Sequence, residues 1–199
     1  MTKLLTYPEI APTAWQELVD SSPYATWFQT PEAYQFYEAN KEEMNPFAIG
    51  VEEDGHLAGV IVGYTTQEKN PIKQYFTCRS IIIGGPLLDE HISNDALSAL
   101  LLAAKRVTKN SIYVETRNFH NYSHRRDLFE ACGFLYQPHY DIHVHCNATH
   151  TMSERRQREL KRAVKNGAEI IEASSEQEIR DWYQILSKLY RQKIRTPLW

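Results

Sequence analysis

Residues 47–64, FAIGVEEDGHLAGVIVGY, decide the fold class. Two runs rich in apolar and β-branched residues, Phe47 to Val51 and Leu57 to Tyr64, flank the dipeptide Asp54-Gly55. Asp-Gly between two such runs is typical of a tight β-hairpin, because the turn needs positive φ angles that glycine accepts. The stretch therefore predicts an antiparallel pair of strands.

Strand-like and helical patterns alternate on both sides of this hairpin. Apolar periodicity and end signals predict the following order: a strand over 3–7, helices over 12–20 and 31–39, the hairpin, a strand over 75–83, a helix over 93–107, a strand over 112–116, a helix over 123–132 that ends at Gly133, and strands over 134–137 and 140–144. This order predicts an α/β (α+β) domain with a mixed, mostly antiparallel sheet flanked by helices.

Four short motifs follow one another along the chain. They are Phe28-Gln29-Thr30-Pro31 at the entry to the second helix, Gly85-Pro86 after a strand, Gly133-Phe134 after the last helix, and Lys161-Arg162-Ala163 to Gly167 in a basic helix. Their order and spacing resemble the Fem family of peptidoglycan-bridge aminoacyltransferases, a branch of the GNAT acyltransferase superfamily. The resemblance covers about residues 1–170. It implies a GNAT-like fold for the first domain.

Composition excludes several other classes of protein. No segment approaches the roughly 20 consecutive apolar residues of a membrane span, and the first residues lack the pattern of a secretory signal. The three cysteines are widely spaced, which disfavours a disulfide framework or a zinc knuckle. We expect a cytoplasmic protein with reduced cysteines.

An internal repeat extends past the first domain. Leu4-Leu5, Trp15 and Thr30-Pro31 recur as Ile170-Ile171, Trp182 and Thr196-Pro197, at offsets of 166 or 167 residues. We therefore predict a GNAT-like domain over 1–150, a basic linker helix over 151–167, and over 168–199 the strand and helix that begin a second, incomplete repeat. The alternative is that 168–199 is a terminal strand and helix of a single domain.

The basic helix offers the first candidate site. Arg155, Arg158 and Arg162 recur at three- and four-residue spacing, so they share one helix face, and guanidinium groups suit phosphates and carboxylates. The Fem resemblance implies that Arg158 and Arg162 contact the diphosphate of a muramyl-peptide acceptor. A solvated cationic face neutralised by Glu154 and Glu159 is the other interpretation.

The strand over 112–117 offers a second candidate site. Tyr113, Glu115 and Arg117 alternate and so point to one face. The GNAT resemblance implies that this strand splays from its neighbour and opens the acceptor groove. There Glu115 could accept a proton from an attacking amine, and Arg117 could hold an anionic substrate. A simple ion pair between Glu115 and Arg117 is the alternative.

A row of histidines on the strand near residue 140 could line the same groove. His139, Asp141, His143 and His145 share one face, and His143 is our candidate for a substrate contact or a base near neutral pH. Alternate residues on a strand lie roughly 7 Å apart, too far to complete a metal site without ligands from another element. We expect no metal.

The stretch before the 93–107 helix argues against a CoA cofactor. CoA-using GNAT enzymes have a Gly-rich turn before the central helix, and the backbone N–H groups of this turn bind the pyrophosphate. Here Pro86 removes a donor, and Asp89 and Glu90 would repel phosphate. We expect no cofactor in this chain, with acetyl-CoA relevant only if the protein is an ordinary N-acetyltransferase.

The resemblance implies a Fem-like acyl or aminoacyl transferase that binds a phosphate-bearing muramyl-peptide-like acceptor. It also implies an aminoacyl-tRNA donor and a catalytic lysine in a second domain beyond Trp199, so this chain alone would be inactive. The second helix departs from the family, since residues 24–40 contain no Lys or Arg. The alternatives are a single-domain acetyl-CoA-dependent N-acetyltransferase and a non-catalytic binding module.

The apolar stripe of the 175–194 helix predicts a homodimer.

Overall fold

The computed structural model describes residues 2–140 and 152–194. The chain divides into two units, Met1–Ile142 and His143–Trp199. The strands of the first unit are β1 (Thr2–Thr6), β2 (Met44–Glu53), β3 (His56–Thr66), β4 (Arg79–Gly84), β5 (Leu87–Leu88) and β6 (Tyr113–Asn118). Its helices are α1 (Pro12–Ser21), α2 (Pro31–Ala39), α3 (Pro71–Thr77), α4 (Asn94–Val107) and α5 (Arg126–Ala131). The second unit contains α6 (Glu154–Lys165) and α7 (Glu176–Leu189).

The strands of the first unit form one sheet in the order β1-β2-β3-β4-β6, with the short β5 paired to β3. Among the described strands, β4 and β6 pair in parallel and the other neighbours are antiparallel. The β2–β3 hairpin turns at Asp54 and Gly55, whose φ angles are 50° and 89°. The predicted fold class is therefore confirmed.

Helices cover both faces of the sheet because its central strands are apolar on both sides. On one face, Ile49 and Val51 pack against Leu97 and Leu100 of α4. On the other face, Ala48, the residue before Ile49, packs with residues of α1 and α2 such as Trp15 and Tyr37. Successive strand residues point to opposite faces, so one strand contributes to both cores.

The predicted strand over 75–83 is wrong in its first part, because α3 occupies Pro71–Thr77. The Asn70 side chain caps this helix by accepting from the backbone N–H groups of Ile72 (2.9 Å) and Lys73 (3.2 Å). Pro71 takes the first helical position, where its missing N–H costs nothing. These end signals outweigh the strand preference of Tyr75 and Phe76.

The predicted strand over 134–137 does not form, since residues 134–140 contain no strand. The chain leaves α5 through Gly133, at φ 83°, and Phe134 donates its N–H to the Phe129 carbonyl (2.9 Å). Phe134 then packs on the Phe129 ring, and Tyr136 lies under the Arg126 guanidinium. These side chains pack on α5 instead of extending the sheet. Beyond Tyr140, the last predicted strand lies outside the described residues.

The described part of the second unit contains two well-capped helices, the second followed by a short π-helix over Tyr190–Ile194. Ser153 caps α6, and Ser175 with Glu178 forms a capping box at α7. Ile170 and Ile171, the strand of the predicted repeat, lie in chain without strand pairing. Thr196-Pro197 lies outside the described residues, so the division into a linker helix and a second repeat stays a prediction.

Candidate functional site

Polar side chains gather on the sheet face where β6 runs beside β4. Strand register places Arg79 opposite Tyr113 and Ile81 opposite Glu115. Paired and alternate residues share a face, so Arg79, Tyr113, Glu115 and Arg117 lie together. Tyr64 of β3 pairs with Ile81 and joins the same face. We call these five polar residues the β4–β6 face.

An ion pair organises this face. The Arg117 Nε donates to Glu115 Oε1 at 2.7 Å. This hydrogen bond holds the pKa of Glu115 below its usual range and raises the pKa of Arg117. Glu115 is therefore ionised at neutral pH, and it must release its cation before it can accept a proton as a general base.

Arg79 is a member of the site that the sequence did not reveal. Its Nη1 donates to the Tyr113 hydroxyl at 3.3 Å, and its charge helps to lower the pKa of Glu115. Arg79 and Tyr113 are 34 residues apart, and only the parallel pairing of β4 and β6 places them side by side. The face thus carries two guanidinium groups and one carboxylate, a net positive charge.

Aromatic side chains border the β4–β6 face at the end of β6. Phe119 continues the alternation of Glu115 and Arg117, and its ring centroid lies 6.4 Å from that of Phe28. Trp27 packs edge-on against both Phe28 and Phe36, at 5.5 and 5.7 Å. Trp27 and Phe36 are each 48% exposed. Flat apolar surface therefore lies next to the charged part of the face.

The predicted splay between strands is wrong for β4 and β6. The two strands stay paired from Arg79 opposite Tyr113 to Gly84 opposite Asn118. Buried Gln29 fixes the end of β4, because its Nε2 donates to the carbonyls of Gly84 (3.1 Å) and Gly85 (3.3 Å). A Cβ on Gly85 would lie 2.1 Å from Asn118 Oδ1, so the close approach of the chain after β4 to the end of β6 also requires glycine.

The segment between β4 and α4 has few free backbone donors. Five of its N–H groups already have protein partners: Leu88 to Tyr24 Oη, Asp89 to the Ala58 carbonyl, His91 to Asp89 Oδ1, Ile92 to the Asp89 carbonyl, and Ser93 to Glu53 Oε2. The bond with Ser93 lowers the pKa of Glu53, so a carboxylate lies at the start of α4. This helix end is poorly suited to a phosphate.

A small aromatic network holds the same segment from the other side. Tyr122 donates from its hydroxyl to the Pro86 carbonyl at 2.7 Å, and burial raises its pKa. The Tyr24 hydroxyl donates to the Leu88 carbonyl at 3.0 Å. His120 stacks on Tyr24 with ring centroids 4.0 Å apart, and burial lowers the pKa of its imidazole. His120 is therefore neutral at physiological pH.

The predicted site residues of the second unit lie along α6. Arg155 pairs with Glu159 at 3.0 Å, while Arg158 donates to the backbone carbonyl of Glu154 at 3.4 Å. Arg158 and Arg162 are exposed. His143, the remaining candidate, lies outside the described residues.

Within residues 2–140 and 152–194, no three potential metal-ligating side chains lie together. No helix in these two ranges is both long and apolar enough to cross a bilayer.

Comparison with known proteins finds structural relatives at low sequence identity. No protein-family model and no curated protein matches the sequence. FemX superposes with a TM-score of 0.50 at 19% identity, over 66% of this chain and 31% of the FemX chain. The fold is GNAT-like. This chain therefore spans about a third of the FemX chain that it resembles.

Two acetyltransferase structures match this chain with lower TM-scores than FemX. A Trypanosoma brucei acetyltransferase has a TM-score of 0.49 at 12% identity, over 72% of this chain and all of that one (100%). A ribosomal-protein-alanine N-acetyltransferase from Brucella melitensis biovar Abortus has a TM-score of 0.46 at 16% identity, over 72% and 100% of the two chains.

Proposed function

We propose that this chain is the acceptor-binding part of an acyl or aminoacyl transferase of the Fem type. Its acceptor is a phosphate-bearing peptide or glycan of the cell-wall precursor class. The observation that carries this proposal is the pair of guanidinium groups, Arg79 and Arg117, on the exposed β4–β6 face. Two arginines facing one carboxylate attract an anionic ligand.

The neighbouring side chains suit the rest of such an acceptor. On β6, Glu115 lies between Arg117 and the position opposite Arg79, and its ionised carboxylate can orient an amino group of the acceptor. Exposed Trp27 and Phe36 offer flat surface for a ring or an apolar side chain of the acceptor. The face can therefore bind a molecule that combines a phosphate with peptide or sugar groups.

The basic helix α6 carries a separate proposal, which rests on the Fem resemblance. Arg158 and Arg162 are exposed, and no carboxylate side chain pairs with them among the described residues. Arg155 is paired with Glu159, as Arg117 is with Glu115. In the proposed function, Arg158 and Arg162 bind the acceptor diphosphate, and an aminoacyl-tRNA supplies the transferred group through a second domain.

The competing function is an acetyl-CoA-dependent N-acetyltransferase. The GNAT-like fold favours it, because α4 connects the parallel strands β4 and β6 and its N-terminus is of the kind that binds pyrophosphate. The occupied donors before α4, the Glu53 carboxylate and the closed β4–β6 edge oppose it. Binding of CoA would require this segment to open and to lose its contacts with Gln29, Tyr24 and Tyr122.

Calorimetry on the 199-residue chain tests the proposal. We expect a UDP-linked muramyl pentapeptide to bind and acetyl-CoA not to bind. Arg79→Ala and Arg117→Ala should each weaken peptide binding about tenfold or more, since a charge-assisted hydrogen bond contributes about 1.5–3 kcal/mol. Arg126→Ala is the matched control, because Arg126 is also exposed and paired with a glutamate, Glu130, but lies on α5.

Three outcomes would contradict the proposal. Saturable binding of acetyl-CoA alone would support an N-acetyltransferase. Binding of neither ligand would leave a non-catalytic binding module with a GNAT-like scaffold. Equal losses in the Arg126→Ala control would mean that net charge, rather than the β4–β6 face, attracts the peptide.

A further inference from the structure

Helix α3 presents an apolar face to solvent. Ile72, Tyr75 and Phe76 lie at positions i, i+3 and i+4 and so share one side of the helix. They are 71%, 76% and 69% exposed. Large apolar side chains in such a cluster mark an interaction surface more often than isolated ones do.

The fold holds this face away from the core. Gln74 is the half-buried residue of α3: its Nε2 donates to the Thr66 carbonyl at 3.0 Å, and its Oε1 accepts from the Glu68 N–H at 2.6 Å. Asn70 fixes the first turn of the helix, and buried Cys78 follows the last. The polar side of α3 therefore binds the sheet, and the apolar side is left outward.

The segment around α3 is basic, although the first unit as a whole is acidic. From Lys69 to Leu88 the sequence contains Lys69, Lys73 and Arg79 but no Asp or Glu. Residues 1–150 as a whole contain 18 Asp and Glu against 11 Lys and Arg. Glu42 neutralises part of this charge, through a 3.9 Å contact with Lys69. Positive charge is nevertheless concentrated where the apolar side chains project.

We propose that α3 binds this unit to an anionic lipid surface. Tyr and Phe side chains are favoured at membrane–water interfaces, and lysine beside them attracts anionic headgroups while its methylenes rest on the apolar layer. In this arrangement, Ile72, Tyr75 and Phe76 enter the headgroup region. Arg79 begins β4 directly after Cys78, so the β4–β6 face opens next to the lipid surface. This interaction does not depend on the proposed transfer reaction.

A second copy of the chain is a poorer partner for α3. A stable dimer buries about 800 Å² on each partner. Three side chains on a two-turn helix cover only part of that area, and two copies would bring like-charged lysines together. An anionic bilayer requires no such area, because insertion of the side chains and charge attraction act together.

Flotation of the full chain with lipid vesicles tests the proposal. Vesicles of phosphatidylcholine mixed with phosphatidylglycerol should carry the protein, and vesicles of phosphatidylcholine alone should carry much less. The variant Ile72→Ser/Tyr75→Ser/Phe76→Ser should lose binding by tenfold or more. Lys69→Gln/Lys73→Gln should weaken it by roughly fivefold for each lysine, the effect of about one surface cation.

Two variants separate α3 from other surfaces. Leu102→Ser/Val107→Ser/Leu135→Ser removes three exposed apolar side chains elsewhere in the first unit and should leave binding unchanged. Arg158→Gln/Arg162→Gln tests whether the basic helix α6 binds the vesicles instead. The proposal is overturned if the α6 variant abolishes binding while the α3 variant retains it. It is also overturned if the α3 variant alters self-association in sedimentation but not flotation.

Discussion

Individual residues of the β4–β6 face define its electrostatics, and the pKa of Glu115 gives the most direct test of the ion pair with Arg117. Replacing Arg117 by Gln removes the hydrogen bond that lowers the pKa of Glu115, so this pKa should rise toward 4.5, its ordinary value. Carboxyl-carbon NMR titration of the wild-type and variant proteins would measure the change. Arg126→Gln is the control, and an unchanged pKa in Arg117→Gln would contradict the ion pair.

The same ion pair gives a pH dependence with a defined sign. The pKa of Glu115 is lower in the folded protein than in the unfolded chain, so its contribution to stability is present above about pH 4.5 and is lost as the pH falls through the folded pKa. Glu115→Gln should therefore flatten the acid side of the stability profile in urea denaturation. We expect a small effect, because both partners are partly exposed. An equal slope in both proteins would contradict the prediction.

Gln29 binds four residues through one buried side chain and its backbone. Its side-chain amide binds Gly84, Gly85 and Thr26, and its backbone carbonyl accepts from Trp15 Nε1 at 2.8 Å. Gln29→Leu leaves the carbonyls of Gly84 and Gly85 and the Thr26 N–H without their side-chain partner, while the bond from Trp15 to the backbone remains, and it should lower the free energy of unfolding by about 2–4 kcal/mol. Denaturant unfolding measures the loss. Exposed Gln35→Leu, in the middle of α2, should change it little.

At the scale of elements, the N-terminal cap of α3 has a testable role. Asn70→Ala removes the side chain that caps the first turn, which should lower the stability of the helix by about 1 kcal/mol. Because α3 is short and its outer side is exposed, fraying of the helix should appear as faster amide hydrogen exchange over 71–77 before global stability falls. Asn70→Asp, which retains a capping oxygen, is the control. Equal exchange in Ala and Asp variants would contradict the role of the cap.

Local signals in the sequence predicted most elements but not their partners. The hairpin turn at Asp54-Gly55 and the apolar periodicity of α4 lie within one segment, and both predictions are confirmed. The cap at Asn70 was an available signal for α3, yet the aromatic pair Tyr75-Phe76 favoured a strand. The parallel pairing of β4 with β6 joins distant segments. For that reason, neither the closed edge at Gly84 nor the place of Arg79 beside Tyr113 followed from the sequence.

At the scale of the whole molecule, α7 presents an apolar stripe with a bearing on assembly. Ile179, Trp182 and Ile185 are 55%, 60% and 63% exposed on a helix with a complete capping box. In the predicted repeat, Trp182 and Ile185 correspond to Trp15 and Leu18, which are buried in α1. The predicted counterparts of these core residues are thus surface residues of α7, so the stripe has apolar area available for a partner.

We therefore predict that the 199-residue chain self-associates through the 175–194 helix. Sedimentation velocity over a range of concentrations should give a rising average mass, and Trp182→Ser/Ile185→Ser should restore the monomer. Burying two such side chains on each partner contributes roughly 1.5–3 kcal/mol for each side chain, which suits a weak dimer rather than an obligate one. The variant Leu102→Ser/Val107→Ser should leave the mass unchanged, since those residues lie on α4. A monomer at every concentration would contradict this prediction.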